Sequence, residues 1–531
     1  MKANFIHRYQ QYDLLLLMVY GCIIFLFLLA TGTFFSGFHL IDDQTYILLN
    51  AKYHSSSFLY ASYHAVKEDL FLRFRPLSMI YYVAIAKWIY PSFTGIALVL
   101  ALQGIFSCYF FYRFARMLNA GIMLSFLFPL FILAGNQGVI FWRNCMSETL
   151  CMLLISIALF YVVRLLKEKN GSKKWNVFVF AVFLLLSTFV KESFIILVPA
   201  ILFFKIWQEA SNNKISWLAS FKRNLPLVIF FSLVIVSEIS IVYYYKKISD
   251  HFIEYVSIDQ DTFKPYNLLV SLFRLLITKG YFIAIVPAFL LIVSWRKKTG
   301  WHQEIKQFFL PLFVLFLLIV IPQVILYSKS LIFERYLLPG TLSSGFLVLY
   351  LQKYMDVHRH QLKWLPAMFL PFCIAILLLQ ITLMTRDATR YAKDGNDVKT
   401  ALKTIIENTN PGDTILVVAQ PKGQSEPALS VKAYLTAEIG GFRKNVFIEP
   451  VVDSTLTISK TEASDVKNFL EMTRGTRYNN IINKSSIRCV LFFENVRDIF
   501  LLNHPEVDTI RSRHLGIGRF NIYIQKKNIN S

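Results

Sequence analysis

Cysteine and acidic residues are both scarce in this chain of 531 residues, and their scarcity excludes several classes of protein. Five of the six cysteines lie within or beside apolar runs, so no disulfide framework is expected, and no zinc-site spacing is visible. Lysine and arginine number 55 against 33 aspartate and glutamate residues, yet the basic residues gather in short loops and form no RNA- or DNA-binding pattern. Nucleic acid is therefore not expected as a partner.

Apolar residues, by contrast, dominate the composition. The chain is 55% hydrophobic, has a mean hydropathy of +0.49 and contains 49 phenylalanines. A soluble protein of this size would not carry so many apolar runs of spanning length, so the sequence predicts a polytopic α-helical membrane protein. The first run, at 12–31, is too long for a typical signal-peptide core and lacks a clear cleavage site, which predicts an uncleaved span.

Ten further spans are predicted, near 94–112, 120–136, 145–163, 175–190, 192–208, 225–245, 280–294, 308–327, 333–351 and 364–384. When the amino terminus is placed in the cytoplasm, the inner loops are rich in lysine and arginine, as the positive-inside rule expects. The sequence thus predicts an eleven-span, multi-pass protein of the cell (inner) membrane with an extracytoplasmic carboxyl end. The apolar piece at 79–90 is expected to lie along the outer interface, because counting it as a span would turn the basic loops outward.

Ionisable residues recur at the predicted outer ends of these apolar runs. They are Asp42, Asp43, Arg73, Arg75, Arg143, Glu148, Lys191, Glu192, Glu334 and Arg335. Charged groups at this depth usually face protein or a water-filled cavity and are functional candidates. Because five separate segments place charge on the same side, we expect one cavity that is open to that side.

Each of these residues also has an ordinary structural interpretation. Asp42 and Asp43 suit a helix cap, and Arg75, which precedes a proline, suits an interfacial anchor. Lys191 with Glu192 would make a tight turn or a local ion pair, as would Glu334 with Arg335. His54 and His64 share the first outer loop, but their spacing does not resemble a metal site, so they are expected to be loop residues.

The order of the charged segments carries a resemblance to a known family. The segments are "DDQTYILLN", "RFRPLS", "FWRNCMSETL", "STFVKESFIILVPA" and "ERYLLP". In this order they resemble the motifs of the membrane-embedded GT-C glycosyltransferases, among them the protein O-mannosyltransferases and the lipid A aminoarabinose transferases. The resemblance covers about residues 1–384. The chain departs from the family in Glu148, where many relatives have Asp, and in Ser193, where others have Gly or Thr.

This resemblance implies a function and a role for each residue. Enzymes of this family transfer a sugar from a polyprenyl-phosphate carrier, which lies among the membrane lipids, to an acceptor hydroxyl. The acceptor is a protein, a lipid or a cell-envelope glycan. The resemblance implies Asp42 as general base and Asp43 as an orienting or metal-coordinating partner. Lys191, Arg75 and Arg335 would hold the carrier phosphate. Glu148 would orient the acceptor or a metal. Whether one divalent ion is required stays open.

The character of the sequence changes after residue 384. The segment that follows reads as an amphipathic helix, a Pro-Gly turn and a short buried strand, and "NVFIEPVV", "IRCVLFFE" and "FNIYIQKK" read as further strands. Residues 385–531 are therefore predicted to form a soluble α/β domain outside the membrane. It carries no phosphate loop or dinucleotide fingerprint, so recognition of a partner and covering of the cavity both stay open as its role.

Two other classes stay open as functions. A transporter or flippase for lipid-linked glycans would also be polytopic and basic inside, but it would place charges near the midplane and show repeats. The charges here gather on one face, and no repeat is visible. A membrane scaffold without catalytic activity would need no such cluster.

The alternating basic loops yield a test of the predicted topology. A reporter fused after residue 390 should be active only outside the cytoplasm, and a reporter fused near Lys173 only inside, because an even number of crossings separates the amino end from Lys173 and an odd number separates it from residue 390. Activity of both fusions on the same side of the membrane would contradict the eleven-span topology.

Overall fold

The structure is a computed structural model in which most of the chain is described. The described residues are 2–70, 73–167, 173–248, 264–273, 308–326, 338–358, 360, 365–437, 445–451, 466–467, 469–481, 484–493, 496–505, 507 and 512–525. The predicted span at 280–294 and the predicted site residue Arg335 lie outside these ranges, so both stay predictions.

Contacts between residues divide the chain into two compact units. The helical unit consists of Met1–Ala30, His64–Tyr81 and Ala97–Ala388, and the sheet unit consists of Thr31–Tyr63, Tyr82–Ile96 and Thr389–Ser531. The loop that carries Asp42 and Asp43 therefore belongs to the same unit as the carboxyl-terminal residues. The predicted domain boundary after residue 384 stays a prediction.

Helices make up most of the described chain. In order they are α1 (Lys2–Thr31), α2 (Gln44–Tyr53), α3 (Phe58–Asp69), α4 (Pro76–Trp88), α5 (Phe93–Met117), α6 (Ile122–Leu133), α7 (Glu148–Lys167), α8 (Lys173–Val190), α9 (Leu197–Asn213), α10 (Trp217–Ile248), α11 (Leu310–Leu326), α12 (Leu338–Val357), α13 (Leu365–Asn408), α14 (Pro421–Thr436) and α15 (Arg497–Asn503). The apolar piece at 79–90 falls on α4.

Six segments among the described residues are long and apolar enough to cross a membrane. They are Leu14–Thr31, Phe93–Met117, Glu148–Lys167, Glu192–Asn213, Trp217–Tyr245 and Ala367–Asn408. Three shorter apolar helices, Ile122–Leu133, Lys174–Val190 and Leu310–Ile325, fall on three further predicted spans. These helices indicate association with a membrane, while the count of eleven spans and the orientation of the chain stay predictions.

The core of the helical unit is aromatic. The rings of Phe114 (α5), Phe128 (α6), Phe204 (α9) and Phe346 (α12) are buried, and the Phe346 ring centroid lies 5.1 Å from that of Phe204 and 5.6 Å from that of Phe114. Next to Phe346, Gly345 lets α12 approach α6 closely, since a Cβ at this position would lie within 3.0 Å of Ile132. The large phenylalanine rings fill the space between these four helices, and the glycine allows α12 and α6 to pack closely.

A five-stranded sheet forms the carboxyl-terminal part of the sheet unit. Its strands are β1 (Thr414–Ala419), β2 (Asn445–Pro450), β3 (Ile487–Phe493), β4 (Ser512–Ile517) and β5 (Phe520–Gln525), in the spatial order β2-β1-β3-β5-β4. Strand β1 pairs in parallel with β2 and β3, while β5 runs antiparallel to both β3 and β4. All six residues of β1 are buried. The strands that the sequence predicts in the carboxyl-terminal part are thus confirmed as one small sheet, and β4 is an additional strand.

Candidate functional site

Asp42 has an unusual backbone conformation within the loop between α1 and α2. Its φ is 71°, in the left-handed region that most residues avoid, and Asp and Asn tolerate this region better than other residues with a side chain. Thr45 N–H donates a hydrogen bond to the Asp42 carbonyl over 3.0 Å, which starts helix α2 directly after this kink. A left-handed residue costs about 1 kcal/mol, so the surrounding contacts must hold it in place.

Asp43 is buried, with 1% of its surface exposed. Its Oδ2 accepts a hydrogen bond of 3.0 Å from the backbone N–H of His39, four residues earlier. Asp43 occupies the N-cap position of α2, but within the described residues its carboxylate bonds back along the loop and does not cap the helix. The interpretation of Asp43 as an ordinary helix cap therefore does not describe its hydrogen bonding.

One face of helix α14 holds this loop. Glu426, Ser430 and Tyr434 are spaced by four residues and so lie along one stripe of the helix. Glu426 Oε1 accepts hydrogen bonds from Asp42 N–H at 3.1 Å and from Gln44 Nε2 at 3.2 Å. The Ser430 hydroxyl lies 2.8 Å from both the Leu40 carbonyl oxygen and Gln44 Oε1. The ring of Tyr434 packs against Phe38, with 4.9 Å between centroids.

Helix α13 contacts the same loop from another direction. The ring of His39 stacks on Tyr391 with 3.5 Å between centroids, and His39 Nε2 lies 2.9 Å from the Ser36 hydroxyl. Gly395, one helical turn after Tyr391, makes this approach possible, because a Cβ there would overlap the His39 ring and the Ser36 carbonyl oxygen. The loop that carries the two aspartates is thus fixed by two helices of the carboxyl-terminal part of the chain.

In the helical unit, Glu148 and Lys191 form a buried ion pair. Lys191 Nζ donates to Glu148 Oε1, and the two side chains are 8% and 3% exposed, respectively. Glu148 is the first residue of α7, and Lys191 directly follows the last residue of α8. An anion at a helix N-terminus and a cation at a helix C-terminus both interact favourably with the helix dipoles. Among the described residues Lys191 thus pairs with a residue of another helix, whereas the sequence indicated only its neighbour Glu192 as a partner.

Arg75 forms a second ion pair near the first. Its Nε and Nη2 donate to the two carboxylate oxygens of Asp69, each over 3.0 Å, in a bidentate arrangement. Burial raises the pKa of Asp69 above its ordinary value, the Arg75 guanidinium opposes this shift, and the nearby charge of Glu192 adds to it. Ser78, on the first turn of α4, donates a 2.5 Å hydrogen bond to the carbonyl of Val190. Arg75 and Lys191 therefore lie in the same part of the helical unit.

A further carboxylate in this region was not among the predicted site residues. Glu238 lies inside the apolar helix α10 and is 4% exposed, and the Thr188 hydroxyl is 2.6 Å from its Oε1. A single acidic residue within the run "SLVIVSEISIVYY" is itself a signal, because ionisable groups in spanning segments are costly. Glu426 lies in polar sequence and His39 lies between two apolar residues, and neither offered a comparable signal.

The predicted site residues thus divide between the two units. Asp42 and Asp43 lie close together in the sheet unit, and Arg75, Glu148 and Lys191 lie close together in the helical unit. The described residues contain no group of three or more His, Cys, Asp or Glu side chains arranged to hold a metal ion. Since the Lys191 ammonium already neutralises Glu148, this carboxylate fits a metal poorly, and no role is assigned to a metal.

The stripe on α14 yields a prediction about the first loop. Replacing Glu426 with Ala removes the acceptor for Asp42 N–H and Gln44 Nε2, and it should destabilise the loop by about 1–3 kcal/mol. Hydrogen–deuterium exchange of residues 36–46 should become faster. Glu407→Ala is the matched control, because Glu407 forms an exposed pair with Lys403 and such pairs contribute little. Unchanged exchange in Glu426→Ala would show that α14 does not hold the loop.

The Glu148–Lys191 pair yields a prediction about stability. Lys191→Met leaves the Glu148 carboxylate buried without its cation, which should cost about 3–5 kcal/mol. Adding Glu148→Gln removes the buried charge and should restore most of this loss. Thermal unfolding of the purified protein in detergent compares wild type, the single variant and the double variant. A double variant as unstable as Lys191→Met would mean that Lys191 stabilises the protein by packing and not by its charge.

No model of a known protein family matches this chain, and no curated protein matches it. The resemblance to the GT-C glycosyltransferases consequently depends on five short motifs and on their order along the chain. What the structure adds is local: it places two of these motifs in contact through Glu148 and Lys191, and it shows what holds the aspartates of the first motif. The activity is therefore stated below as a proposal.

Proposed function

We propose that this protein is a membrane glycosyltransferase of the GT-C type. It transfers a sugar from a polyprenyl-phosphate-linked donor to a hydroxyl group of a protein, lipid or cell-envelope glycan. The observation that carries the proposal is the convergence of three separate motif segments in the helical unit. Arg75, Glu148 and Lys191 are far apart in sequence, yet two ion pairs and the Ser78–Val190 hydrogen bond bring their segments together.

The reaction needs a base and a stabilised leaving group. The acceptor oxygen forms a bond to the anomeric carbon while its proton passes to the carboxylate of Asp42. The bond between the anomeric carbon and the phosphate oxygen breaks, and its electron pair leaves with the carrier phosphate. Lys191, Arg75 and Arg335 are the cations that we assign to this phosphate, since growing negative charge on an oxygen is stabilised by positioned cations.

Ion pairing supports this assignment for two of the cations. Lys191 is held by Glu148 and Arg75 by Asp69, so both cationic side chains have fixed positions before a carrier binds. A cation that is already ordered loses less side-chain entropy when it binds a phosphate. The apolar helices around these pairs also lower the local dielectric, which strengthens the attraction between a cation and an anion.

The sheet unit supports the assignment of Asp42 and Asp43. A general base must be held in one position relative to the hydroxyl that it deprotonates. The hydrogen bond from Asp42 N–H to Glu426 fixes the backbone of the proposed base, and Asp43 fixes the loop through His39. We infer that the carboxyl-terminal part of the chain positions the base, with Asp43 as an orienting residue. The extracytoplasmic location of this part, like the cell (inner) membrane location of the protein, is part of the proposal.

Purified protein supplied with a defined polyprenyl-phosphate-linked sugar tests the proposal directly. Loss of sugar from the donor, with the same sugar appearing on an acceptor, supports transfer. A lipid transporter would move the donor between leaflets of a vesicle and leave the bond between sugar and phosphate intact. Mass spectrometry of envelope glycans and glycoproteins from a deletion strain would show which sugar disappears and so name the donor for the assay.

The base assignment yields the sharpest prediction. Asp42→Asn keeps the size and the left-handed backbone of the residue but removes the proton acceptor, so the transfer rate should fall by about 10²–10⁴. Carrier binding should survive, because a carboxylate repels a phosphate. Asp43→Asn should lower the rate less, since its proposed role is to orient the loop.

Asp42→Gly is the matched control for folding. Glycine adopts a φ of 71° without strain, so this variant is expected to fold and yet to be equally inactive. The measurements are sugar transfer and thermal unfolding on the same preparations. Transfer at the wild-type rate by either variant would show that Asp42 is not the base.

A further inference from the structure

A second polar site lies at the other end of helix α7. A cavity of about 440 Å³ opens there and is lined by the ends of α5 and α7 and the turn that follows α5. Glu148 begins α7 and Lys167 ends it, so the cavity lies about 30 Å from the Glu148–Lys191 pair. It is therefore distinct from the candidate site for sugar transfer, and its occupant does not depend on that proposal.

The cavity is strongly basic. Arg113, Arg116 and Lys167 line it, and no carboxylate lines it among the residues that the structure describes. Lys353 joins two of these cations, Arg116 and Lys167, in holding the turn at 118–120. Lys167 Nζ donates to Asn119 Oδ1 over 3.1 Å, Arg116 Nη1 donates to the Ala120 carbonyl, and Lys353 Nζ donates to the Leu118 carbonyl. These acceptors are neutral, so the hydrogen bonds that they accept do not neutralise the positive charges.

Helix ends explain part of this arrangement. Arg116 and Lys167 lie in the last turns of α5 and α7, where cations interact favourably with the helix dipole. The dipole of one helix end is equivalent to about half an elementary charge and does not neutralise a full cation. The three cations that line the cavity, Arg113, Arg116 and Lys167, repel one another. An anion bound between them would offset that repulsion.

Arg113 is positioned by aromatic groups of the helical unit. Its guanidinium lies 5.8 Å from the ring centroid of Tyr109 and 5.6 Å from that of Phe160, and Nη1 donates to the Tyr109 hydroxyl over 2.9 Å. These contacts hold the charge at the wall of the cavity. A planar guanidinium held in this way suits bidentate binding of phosphate oxygens.

The position along the helices identifies the source of the phosphate. Met117 and Lys167 are the last residues of the apolar segments Phe93–Met117 and Glu148–Lys167, so the cavity lies where spanning helices reach the headgroup layer. Basic pockets between spanning helices bind anionic lipid headgroups. We propose that this cavity binds the phosphate of an acidic phospholipid headgroup, with Arg113, Arg116 and Lys167 as its ligands.

Lipid titration of the purified full-length protein in neutral detergent tests the proposal. Native mass spectrometry should show saturable binding of one short-chain phosphatidylglycerol and weaker binding of the zwitterionic phosphatidylcholine of equal chain length. Arg113→Gln and Lys167→Gln, on different helices, should each weaken phosphatidylglycerol binding at least about tenfold, since each removes a charge-assisted hydrogen bond. Thermal unfolding of each variant separates a loss of binding from a loss of folding.

Lys222→Gln is the matched control, since it removes one exposed charge from α10 outside the cavity. It should leave phosphatidylglycerol binding unchanged. Inorganic phosphate is titrated in parallel: binding of phosphate with the same dependence on Arg113 and Lys167 would support the site with a soluble source of the anion. No saturable binding of either probe, or equal weakening by Lys222→Gln and the cavity variants, would overturn the proposal.

Discussion

A charged side chain is buried among apolar helices only where a partner replaces the water that it loses. Among the described residues the helical unit meets this constraint through Glu148 with Lys191, through Asp69 with Arg75 and through Lys205 with Glu209. The first pair joins the start of α7 to the end of α8, and the second joins the end of α3 to the start of α4. The positions of the helix ends and the positions of the charges are therefore fixed together, and the proposed site consists of groups that also hold these helices in place.

The sequence predicted those features that depend on local pattern. Apolar runs of spanning length indicated the long helices, and short stretches rich in β-branched and aromatic residues indicated β1, β2, β3 and β5. Charges at the ends of apolar runs indicated Glu148 and Lys191, because such groups are costly at that depth. Glu238 satisfies the same criterion even more clearly, since its carboxylate lies within an apolar run, and it could have been predicted.

The partners of the first loop depend on contacts between distant segments. Asp42 and Glu426 are 384 residues apart, and nothing in "PKGQSEPALSVKAYLT" indicates which surface its polar stripe contacts. The bidentate geometry of Arg75 with Asp69, and the choice of Glu148 rather than Glu192 as partner of Lys191, likewise depend on how helices pack. Hydrophobic pattern fixes which face of a helix is buried but not which neighbour covers it. The elements were thus accessible from sequence, and their pairing was not.

The hydrogen bond between Asp42 and Glu426 has a consequence for the order of events during biosynthesis. A ribosome adds about 5–20 residues per second, so roughly 20 to 80 s pass between synthesis of the loop and synthesis of the helix that holds it. During that interval the loop lacks the acceptor that binds Asp42 N–H in the folded protein. The proposed catalytic base would therefore be in position only once translation is nearly complete, and incompletely synthesised chains in the membrane would remain inactive.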